Sequence, residues 1–347
     1  MEEYWFAKEQ KKEYLKYLDQ FGFCVITGVL DKDLIESRIS EIWNHPALLG
    51  NNLLKRDDPS TWTSENGWNT DNAGFLDLNG GTSETELEYY WKVRLNKNIV
   101  DVFKTVYEED VVLLIDRTGI MRPTKNIEIN GEFINKPEWQ TRKGWLHLDS
   151  NPWEKEEKIK LQGLVTLTDQ TEKSGGFCCI PGFHRKLEKW ALTHERTKVD
   201  GIYFFDKDAE EQTQAKKIFA PAGSLIIWNN KTAHSNYPND GNSFRITDYL
   251  TYERKSEYSE DIKKGLKRIG LESVICDQTS YFPNSLTQEE KEYLDFDRYS
   301  KQITTEKEIE GYKLYKKGCQ LECEGDVMAA IKLYQKSYKM CPILEDI

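Results

Sequence analysis

Basic residues are scarce in this chain of 347 residues relative to acidic ones. Its 48 lysines and arginines stand against 59 aspartates and glutamates, which leaves a formal net charge of −11. Phosphate backbones and anionic lipid surfaces attract proteins that carry an excess of lysine and arginine. The charge therefore argues against a nucleic-acid partner and against nonspecific binding to a membrane surface, although it leaves room for a local basic patch.

The chain also lacks long apolar runs and paired-cysteine motifs. Its longest apolar runs, such as VVLLI, are far shorter than the roughly 18 residues that a membrane-spanning helix needs. Its first residues, MEEYWFAKEQ, are acidic, whereas a secretory signal peptide begins with basic residues and continues with an apolar stretch. The seven cysteines are an odd number and include no C-x-x-C motif. We therefore expect a protein of the reducing cytoplasm.

Aromatic residues, by contrast, are plentiful. They make up 12% of a chain that is 38% apolar, which predicts a globular protein rather than a disordered one. Apolar periodicity predicts helices over residues 4–19, 33–45 and 96–108, and the stretch FCVITGVL between the first two reads as a strand. Residues 46–95 are rich in Asn, Gly, Asp and Thr and are expected to form long loops with aromatic anchors.

The middle of the chain has the rhythm of a β-domain. Short β-branched or aromatic runs, separated by Gly, Pro and Asn, are typical of a sandwich or jelly roll: WLHLD, KLQGLVTLTD, GGFCCIPG, SLIIWNN and SFRITDYLTYE. Residues 306–340 predict a separate pair of helices that ends before Pro342. We expect a mainly β fold with helical flanks, in which residues 1–300 form one domain and residues 301–347 a C-terminal helical pair.

One predicted strand carries two polar residues that are two positions apart. In RKGWLHLDSNPWEK, His147 and Asp149 would lie on one face of a strand, while Leu146 and Leu148 point to the other. An imidazole and a carboxylate on one face suit a shared metal ion or a proton relay. Taken alone, however, the pair is more simply interpreted as a hydrogen-bonded pair in a β-core.

A second histidine and an arginine favour a metal site over a hydrogen-bonded pair in the core. His234 lies at the end of another predicted strand, and two imidazoles with one carboxylate form the facial triad of non-haem iron(II) oxygenases. Structural zinc sites instead favour thiolate-rich sets. Arg245 shares a strand face with Thr247, and a planar guanidinium near a metal is suited to binding a carboxylate. Another metal in a cupin-like pocket is an alternative, but it leaves Arg245 unexplained.

Three blocks of sequence resemble the phytanoyl-CoA dioxygenase-like family of Fe(II)/2-oxoglutarate-dependent oxygenases. The resemblance covers about residues 8–252, because YLDQFGFCVITGVLDKDLIE is also similar to the opening helix, strand and helix of the family. One departure is Phe183, where the family usually has a serine, and we expect it to reshape the pocket rim without touching the triad. The three blocks are GWLHLDS, TEKSGGFCCIPGFHRK and GSLIIWNNKTAHSNYPNDGNSFRITDYLTY.

The resemblance implies a fold and a chemistry. The family folds as a double-stranded β-helix, a cupin-like jelly roll whose mouth holds Fe(II). By this resemblance His147, Asp149 and His234 bind the iron, and Arg245 with Thr247 binds the far carboxylate of 2-oxoglutarate. The cosubstrate reacts with O2 to give succinate and CO2 while a small organic or acyl substrate is oxidised. Related halogenases carry a small residue in place of Asp149, so the carboxylate here points to hydroxylation or another oxidation.

The last forty residues suggest a second class of function. GCQLECEGDVMAAIKLYQKSYKMCP resembles one tetratricopeptide repeat, and a single repeat cannot bury its own apolar face. The helical pair is therefore expected either to brace the β-domain or to bind a protein partner. The alternative to an enzyme is a catalytically degenerate jelly-roll scaffold that interacts with proteins through this tail, and an intact triad with Arg245 disfavours it.

Five other residues have simpler interpretations. His184 is expected to shape its loop through hydrogen bonds, and His194 is expected at the surface. Arg122 and Lys125 would be either further contacts to the cosubstrate or part of a solvated basic loop. Trp145 would either pack beside the cosubstrate or fill the core.

Overall fold

A computed structural model of the chain shows two compact units, Met1–Glu253 and Arg254–Ile347. The predicted domain boundary at residue 300 lies outside the described residues, so the division into 1–300 and 301–347 stays a prediction. His45, at the end of a predicted helix, also lies outside them. The structure describes residues 2–44, 53–71, 73–76, 87–114, 116–154, 158–197, 199, 201–257, 286–294, 305–323, 327–342 and 344.

The described residues form short strands and helices. The strands are β1 Trp5–Ala7, β2 Phe23–Thr27, β3 Val111–Leu114, β4 Thr118–Met121, β5 Ile127–Ile129, β6 Glu132–Ile134, β7 His147–Leu148, β8 Leu161–Thr166, β9 Gly176–Cys179, β10 Tyr203–Phe204, β11 Lys216–Lys217, β12 Leu225–Asn229, β13 His234–Tyr237 and β14 Arg245–Arg254. The helices are α1 Lys11–Phe21, α2 Lys32–Asn44, α3 Glu88–Arg94, α4 Lys97–Tyr107, α5 Phe183–Thr193, α6 Glu211–Gln214, α7 Gln288–Tyr293, α8 Glu306–Cys323 and α9 Val327–Met340.

Two mainly antiparallel sheets form the body of the first unit. The first has the order β1-β2-β12-β8-β14-β3, with β4 also paired to β14, and the second has the order β10-β7-β13-β9-β11. Successive strands alternate between the sheets, first from β4 to β7, β8 and β9 and then from β11 to β12, β13 and β14. This alternation is the winding of a double-stranded β-helix, so the predicted jelly roll with helical flanks is confirmed.

Side chains from both sheets meet in one apolar core. Strands of the first sheet contribute Val25, Leu164 and Ile226, and β9 of the second contributes Phe177. The register between β8 and β12 pairs Leu164 with Ile226, which keeps their side chains on the same inner face. Tyr249 of β14 packs against this cluster. The face of β14 that carries Tyr249, called its inner face below, is therefore directed at the second sheet.

The N-terminal helix is shorter than the sequence predicts. Helix α1 begins at Lys11, whereas Trp5–Ala7 pair in parallel with Val25–Thr27 of β2. The predicted helical start at residue 4 is therefore wrong, because a pairing partner about twenty residues away outweighs local helical periodicity. Gly22 ends α1 in the left-handed conformation with φ of 79°, as a helix-terminating glycine does.

A buried ion-pair network connects the helices to the outer face of β14. Asp248 accepts from Arg38 Nε at 3.1 Å and from Arg94 Nη2 at 3.2 Å, and all three side chains are inaccessible to solvent. Thr118 of β4 donates to the same carboxylate at 2.5 Å. Burial would raise the pKa of Asp248, but the two guanidinium groups hold it below its usual value. The network fixes β14, the strand that also carries Arg245.

Helices α8 and α9 of the second unit pack on each other. Gly318 of α8 allows a close approach, since a Cβ there would lie 2.6 Å from Cε1 of Tyr334 on α9. Tyr312, Cys341 and Leu344 form a small buried cluster. The C-terminal helical pair is thus present as predicted. None of the described helices has the length and apolar character needed to cross a membrane.

Candidate metal centre

Neighbouring strands of the second sheet bring the three predicted ligands together. His147 on β7 lies directly opposite His234 on β13, and Asp149 follows β7 by one residue. The neighbours Leu146 and Leu148 are buried on the other side, in an apolar cluster with α5. The alternation predicted for this strand is therefore present.

The ligand atoms converge on one point. Nε2 of His147 lies 3.7 Å from Oδ1 of Asp149, and Nε2 of His234 lies 3.3 Å from Oδ2. One ligand atom from each residue lies within 4.8 Å of the other two, a separation that a single metal ion can bridge. The donor set of two imidazoles and one carboxylate is the set that suits non-haem iron.

Backbone carbonyls fix the orientation of both imidazoles. Nδ1 of His234 lies 2.9 Å from the carbonyl oxygen of Thr232, and Nδ1 of His147 lies 3.3 Å from that of Trp145. A carbonyl oxygen only accepts, so Nδ1 carries the proton in each ring and, in the neutral imidazole, Nε2 keeps its lone pair. This is the outer-shell arrangement that metal-binding histidines adopt. The residues therefore fit a divalent metal ion.

The protonation states of the site also suit a metal. Burial and the proximity of His234 lower the pKa of His147 to about 4, although Asp149 opposes the shift. Burial would raise the pKa of Asp149, but the imidazoles of His234 and His147 beside its carboxylate lower it to about 2. At neutral pH His147 is uncharged and Asp149 is ionised, which are the forms that bind a metal.

Aromatic side chains enclose His147. The Trp145 ring stacks on the imidazole of His147 with 5.1 Å between ring centroids and an interplanar angle of 6°. The Phe204 ring also stacks on the imidazole, with 5.4 Å between centroids. Trp145 is 9% exposed and packs with Phe75 and Met121, so it is a core residue that also supports a ligand. Both rings limit the freedom of the imidazole.

Gln162 of β8 supports the carboxylate. Interaction with its side chain lowers the pKa of Asp149, and its Oε1 accepts from Nε1 of Trp228 at 2.9 Å. The indole thereby leaves the amide N–H groups of Gln162 free to point toward Asp149. The first sheet thus helps to hold a ligand that the second sheet carries.

The triad opens into a cavity of about 280 Å³. Arg117, Phe204, Asn236 and Tyr249 are among its lining residues. Phe204 is 51% exposed, so the cavity has an apolar lip open to solvent.

Arg245 is buried on the inner face of β14 with most of its hydrogen-bonding capacity unused. It is 1% exposed, and its Nη2 donates to Oδ1 of Asn236 at 3.3 Å. Its Nε and Nη1 have no acceptor among the described residues. Leaving charged donors unpaired in the interior costs free energy, and a bound carboxylate would satisfy them. Asn236 lines the cavity, so Arg245 fits the carboxylate-binding role predicted for it.

Thr247 shares the inner face with Arg245 and is fully buried. Its hydroxyl donates to the carbonyl oxygen of Val165 at 2.6 Å. The hydroxyl proton is therefore already used within the first sheet, and a contact between Thr247 and the cosubstrate stays a prediction.

Comparison with known proteins agrees with the chemistry that the candidate metal site indicates. The family model described as phytanoyl-CoA dioxygenase matches residues 18–247, a span that contains all three ligands and Arg245. The chain belongs to the phytanoyl-CoA dioxygenase family. Family membership and the candidate ligand set together identify it as an Fe(II)/2-oxoglutarate-dependent oxygenase and confirm the predictions of iron and of 2-oxoglutarate as its cosubstrate.

Individual relatives of this phytanoyl-CoA dioxygenase family member are distant. A Dictyostelium discoideum protein named "Putative phytanoyl-CoA dioxygenase" is 23% identical over 271 residues, which cover 68% of this chain and 73% of that protein. The epimerase SnoN, solved with Fe3+, alpha ketoglutarate and nogalamycin RO, is 14% identical with a TM-score of 0.49 over 71% of this chain and 84% of its own. EctD from S. alaskensis, solved with 2-oxoglutarate and 5-hydroxyectoine, is 16% identical with a TM-score of 0.45 over 72% and 78%.

The remaining candidates lie elsewhere. Arg122 stacks over Trp139 at 4.3 Å, Lys125 pairs with Asp240 at 2.7 Å, and neither basic residue lines the cavity. His184 donates to the carbonyl of Asp19 at 2.9 Å, and His194 is an exposed residue of the first unit.

Phe183, the departure from the family pattern, is buried. It is 4% exposed and packs beneath β7 in the cluster of Leu146 and Leu148. A phenyl ring at this position thus supports the strand that carries His147.

Sequence reasoning missed Gln162, Asn236, Phe204 and Tyr249. Asn236 and Tyr249 stand two and four residues after His234 and Arg245, so strand alternation alone could have placed them on the inner face. Phe204 and Gln162 reach the site only through the pairing of β10 with β7 and the packing of the two sheets, for which the sequence carries no local signal.

Proposed function

We propose that this oxygenase hydroxylates a small organic or acyl substrate. In the balanced reaction, one oxygen atom of O2 enters succinate, the other enters the new hydroxyl group, and 2-oxoglutarate loses CO2. The observation that carries the proposal is the combination of a convergent His–Asp–His group with Arg245 donors that have no acceptor among the described residues of the same double-stranded β-helix. A scaffold without a ligand gains nothing from leaving a buried guanidinium unsatisfied.

The roles of the residues follow from their contacts. His147, Asp149 and His234 would hold the iron, which would activate O2, the oxidant of the reaction. Arg245 would bind the far carboxylate of 2-oxoglutarate through a charge-assisted pair of hydrogen bonds. Because a carboxylate occupies position 149, no ligand position is left open there for a halide, which favours hydroxylation over halogenation.

The exposed apolar side chains at the rim of the cavity are suited to an organic substrate that has an apolar portion. Phe204 stacks on His147 and is 51% exposed, and Ile202 beside it is 46% exposed. Both line the cavity that contains the triad. An apolar group packed against them would cover the two side chains and exclude water from the metal side of the cavity.

The test is turnover of the cosubstrate. The purified protein, supplied with Fe(II), O2 and 2-oxoglutarate, should form succinate slowly without substrate and faster when a suitable substrate is added. Asp149→Ala should abolish both rates, while Asp169→Ala provides a matched control, since Asp169 lies outside the cavity and accepts from the Ala222 N–H. Robust turnover by protein fully stripped of iron would contradict the proposal. A protein partner for α8 and α9 is a separate prediction that this test does not address.

A further inference from the structure

Three buried side-chain donors on the inner face of β14 have no acceptor among the described residues. Two of them belong to Arg245, namely Nε and Nη1, and the third is the hydroxyl of Tyr249. A buried polar group without a partner costs free energy, and these three are shielded from bulk water. Their proximity on one strand is suited to one shared acceptor group rather than to three separate ones.

Gly119 on the neighbouring strand β4 shows how close these groups lie. It pairs with Thr247, the residue between Arg245 and Tyr249 on this face. A Cβ at position 119 would lie 2.8 Å from Cε2 of Tyr249 and 3.3 Å from Nη1 of Arg245. The phenol edge and the guanidinium therefore both border the space that this glycine leaves open.

Tyr249 also connects this space to the metal site. It lines the cavity together with His147, Asp149 and His234, and the guanidinium carbon of Arg245 lies 5.9 Å from its ring centroid. A carboxylate has about four acceptor positions, so two guanidinium N–H groups leave room for a further donor.

Thr247, the other hydroxyl on this face, differs from Tyr249 in one respect. Its proton is donated to the carbonyl of Val165, whereas the hydroxyl of Tyr249 has no acceptor in the part of the chain that the structure describes. Of the two, Tyr249 has the donor that a ligand can use without breaking a hydrogen bond of the protein.

We propose that Tyr249 donates a hydrogen bond to the carboxylate of 2-oxoglutarate that Arg245 binds. Tyr249 is thus a second cosubstrate-binding residue, and Gly119 provides the room for it. This inference rests on the proposed function, because it assumes that 2-oxoglutarate enters the cavity.

The test compares two Tyr→Phe variants. Tyr249→Phe removes a hydroxyl without a protein partner, while Tyr107→Phe removes one that accepts from the Leu161 N–H at 2.7 Å and donates to the Tyr252 carbonyl at 3.2 Å. Each variant is loaded with Fe(II) under anaerobic conditions and titrated with 2-oxoglutarate. Thermal unfolding of the ligand-free forms is recorded in parallel.

The two variants should behave in opposite ways. Tyr249→Phe should weaken 2-oxoglutarate binding by roughly tenfold or more, as expected for a lost hydrogen bond to a charged acceptor. Its ligand-free Tm should equal or exceed that of the wild type, because an unpaired buried group has been removed. Tyr107→Phe should bind 2-oxoglutarate normally and melt at a lower temperature.

Further variants distinguish a failure of the inference about Tyr249 from a failure of the proposed function. If Arg245→Ala weakens binding while Tyr249→Phe binds like the wild type, the inference about Tyr249 is overturned and the proposed function stands. If Thr247→Val loses affinity and Tyr249→Phe does not, the second contact belongs to Thr247 and the inference is again overturned. If the wild-type protein itself does not bind 2-oxoglutarate, the proposed function fails first. Gly119→Ala should reproduce the affinity loss of Tyr249→Phe, since its Cβ would displace the ring.

Discussion

Nδ1 of His234 donates a hydrogen bond to the carbonyl oxygen of Thr232 across 2.9 Å. The hydroxyl of the same threonine donates to the carbonyl of Gly22, the residue that ends α1, at 3.0 Å. Thr232 therefore connects the N-terminal helix to a predicted iron ligand. A Cβ at Gly22 would lie 2.3 Å from Oγ1 of Thr232, so only glycine permits this contact.

Replacing Thr232 by valine should loosen the orientation of His234. The variant keeps the carbonyl but loses the hydroxyl that fixes it, so we expect Fe(II) binding to weaken by about tenfold, at the low end of the effect of outer-shell changes. Competition with a metal-sensitive dye measures this affinity. Thr213→Val is the matched control, since it removes a hydroxyl that bonds only to the Glu210 carbonyl, and equal losses in both variants would contradict the proposed role of Thr232.

Substitutions of Arg245 should separate charge from geometry. Lysine keeps the charge but loses the two-pronged donor, and alanine removes both. The affinity for 2-oxoglutarate should fall in the order wild type, Arg245→Lys, Arg245→Ala, by tenfold or more for alanine at about 1.4 kcal/mol per decade. Calorimetric titration checks the order, and Fe(II) affinity should barely change. Wild-type affinity in Arg245→Ala would show that the cosubstrate binds elsewhere.

The ion-pair network around Asp248 should dominate the stability of the first unit. Asp248→Asn removes the buried carboxylate charge that Arg38 and Arg94 share, and breaking such a network costs about 3–5 kcal/mol. Urea unfolding measures the loss. Glu36→Gln, which removes an exposed pair with Lys32, is the control and should change stability by less than about 0.5 kcal/mol. Similar midpoints for the two variants would contradict this assignment.

The same network predicts a direction for the pH dependence of stability. The pKa of Asp248 is lower in the folded protein than in the unfolded chain, where an aspartate has a pKa of about 3.9. Its stabilising contribution is therefore fully present above about pH 4 and is lost as the pH falls through the folded-state pKa. Urea midpoints recorded from pH 6 downward should fall less steeply in Asp248→Asn than in the wild type. Parallel curves would contradict the prediction.

The grouping of the candidate metal ligands could be predicted from the sequence because its signals are local. Strand alternation places His147 and Asp149 on one face, and the same alternation gives Arg245 an inward direction. His234 could be added because its chemical type completes the ligand set. The structure brings one candidate ligand atom of each of the three residues within 4.8 Å of the other two.

The remaining features depend on contacts between distant segments. Trp5–Ala7 form a strand only because β2 is available for pairing, and α3 lies inside a stretch whose composition predicts loops. The same holds for Gln162, which reaches Asp149 from the opposite sheet. Hydrogen bonding cannot be predicted in this way either, since no sequence pattern shows that Thr247 has an acceptor and that Tyr249 has none among the described residues.

The most direct test of the central claim is an anaerobic titration of the protein with Fe(II) and 2-oxoglutarate. Chelation of iron by the 2-oxo acid gives a metal-to-ligand charge-transfer band in the visible spectrum. We expect this band to saturate at one equivalent of Fe(II) in the wild type and to be absent in Asp149→Ala, whose ligand-free fold should be intact by circular dichroism. A wild-type protein that shows no band, or an Asp149→Ala variant with an unchanged band, would contradict the assignment of His147, Asp149 and His234 as the iron site.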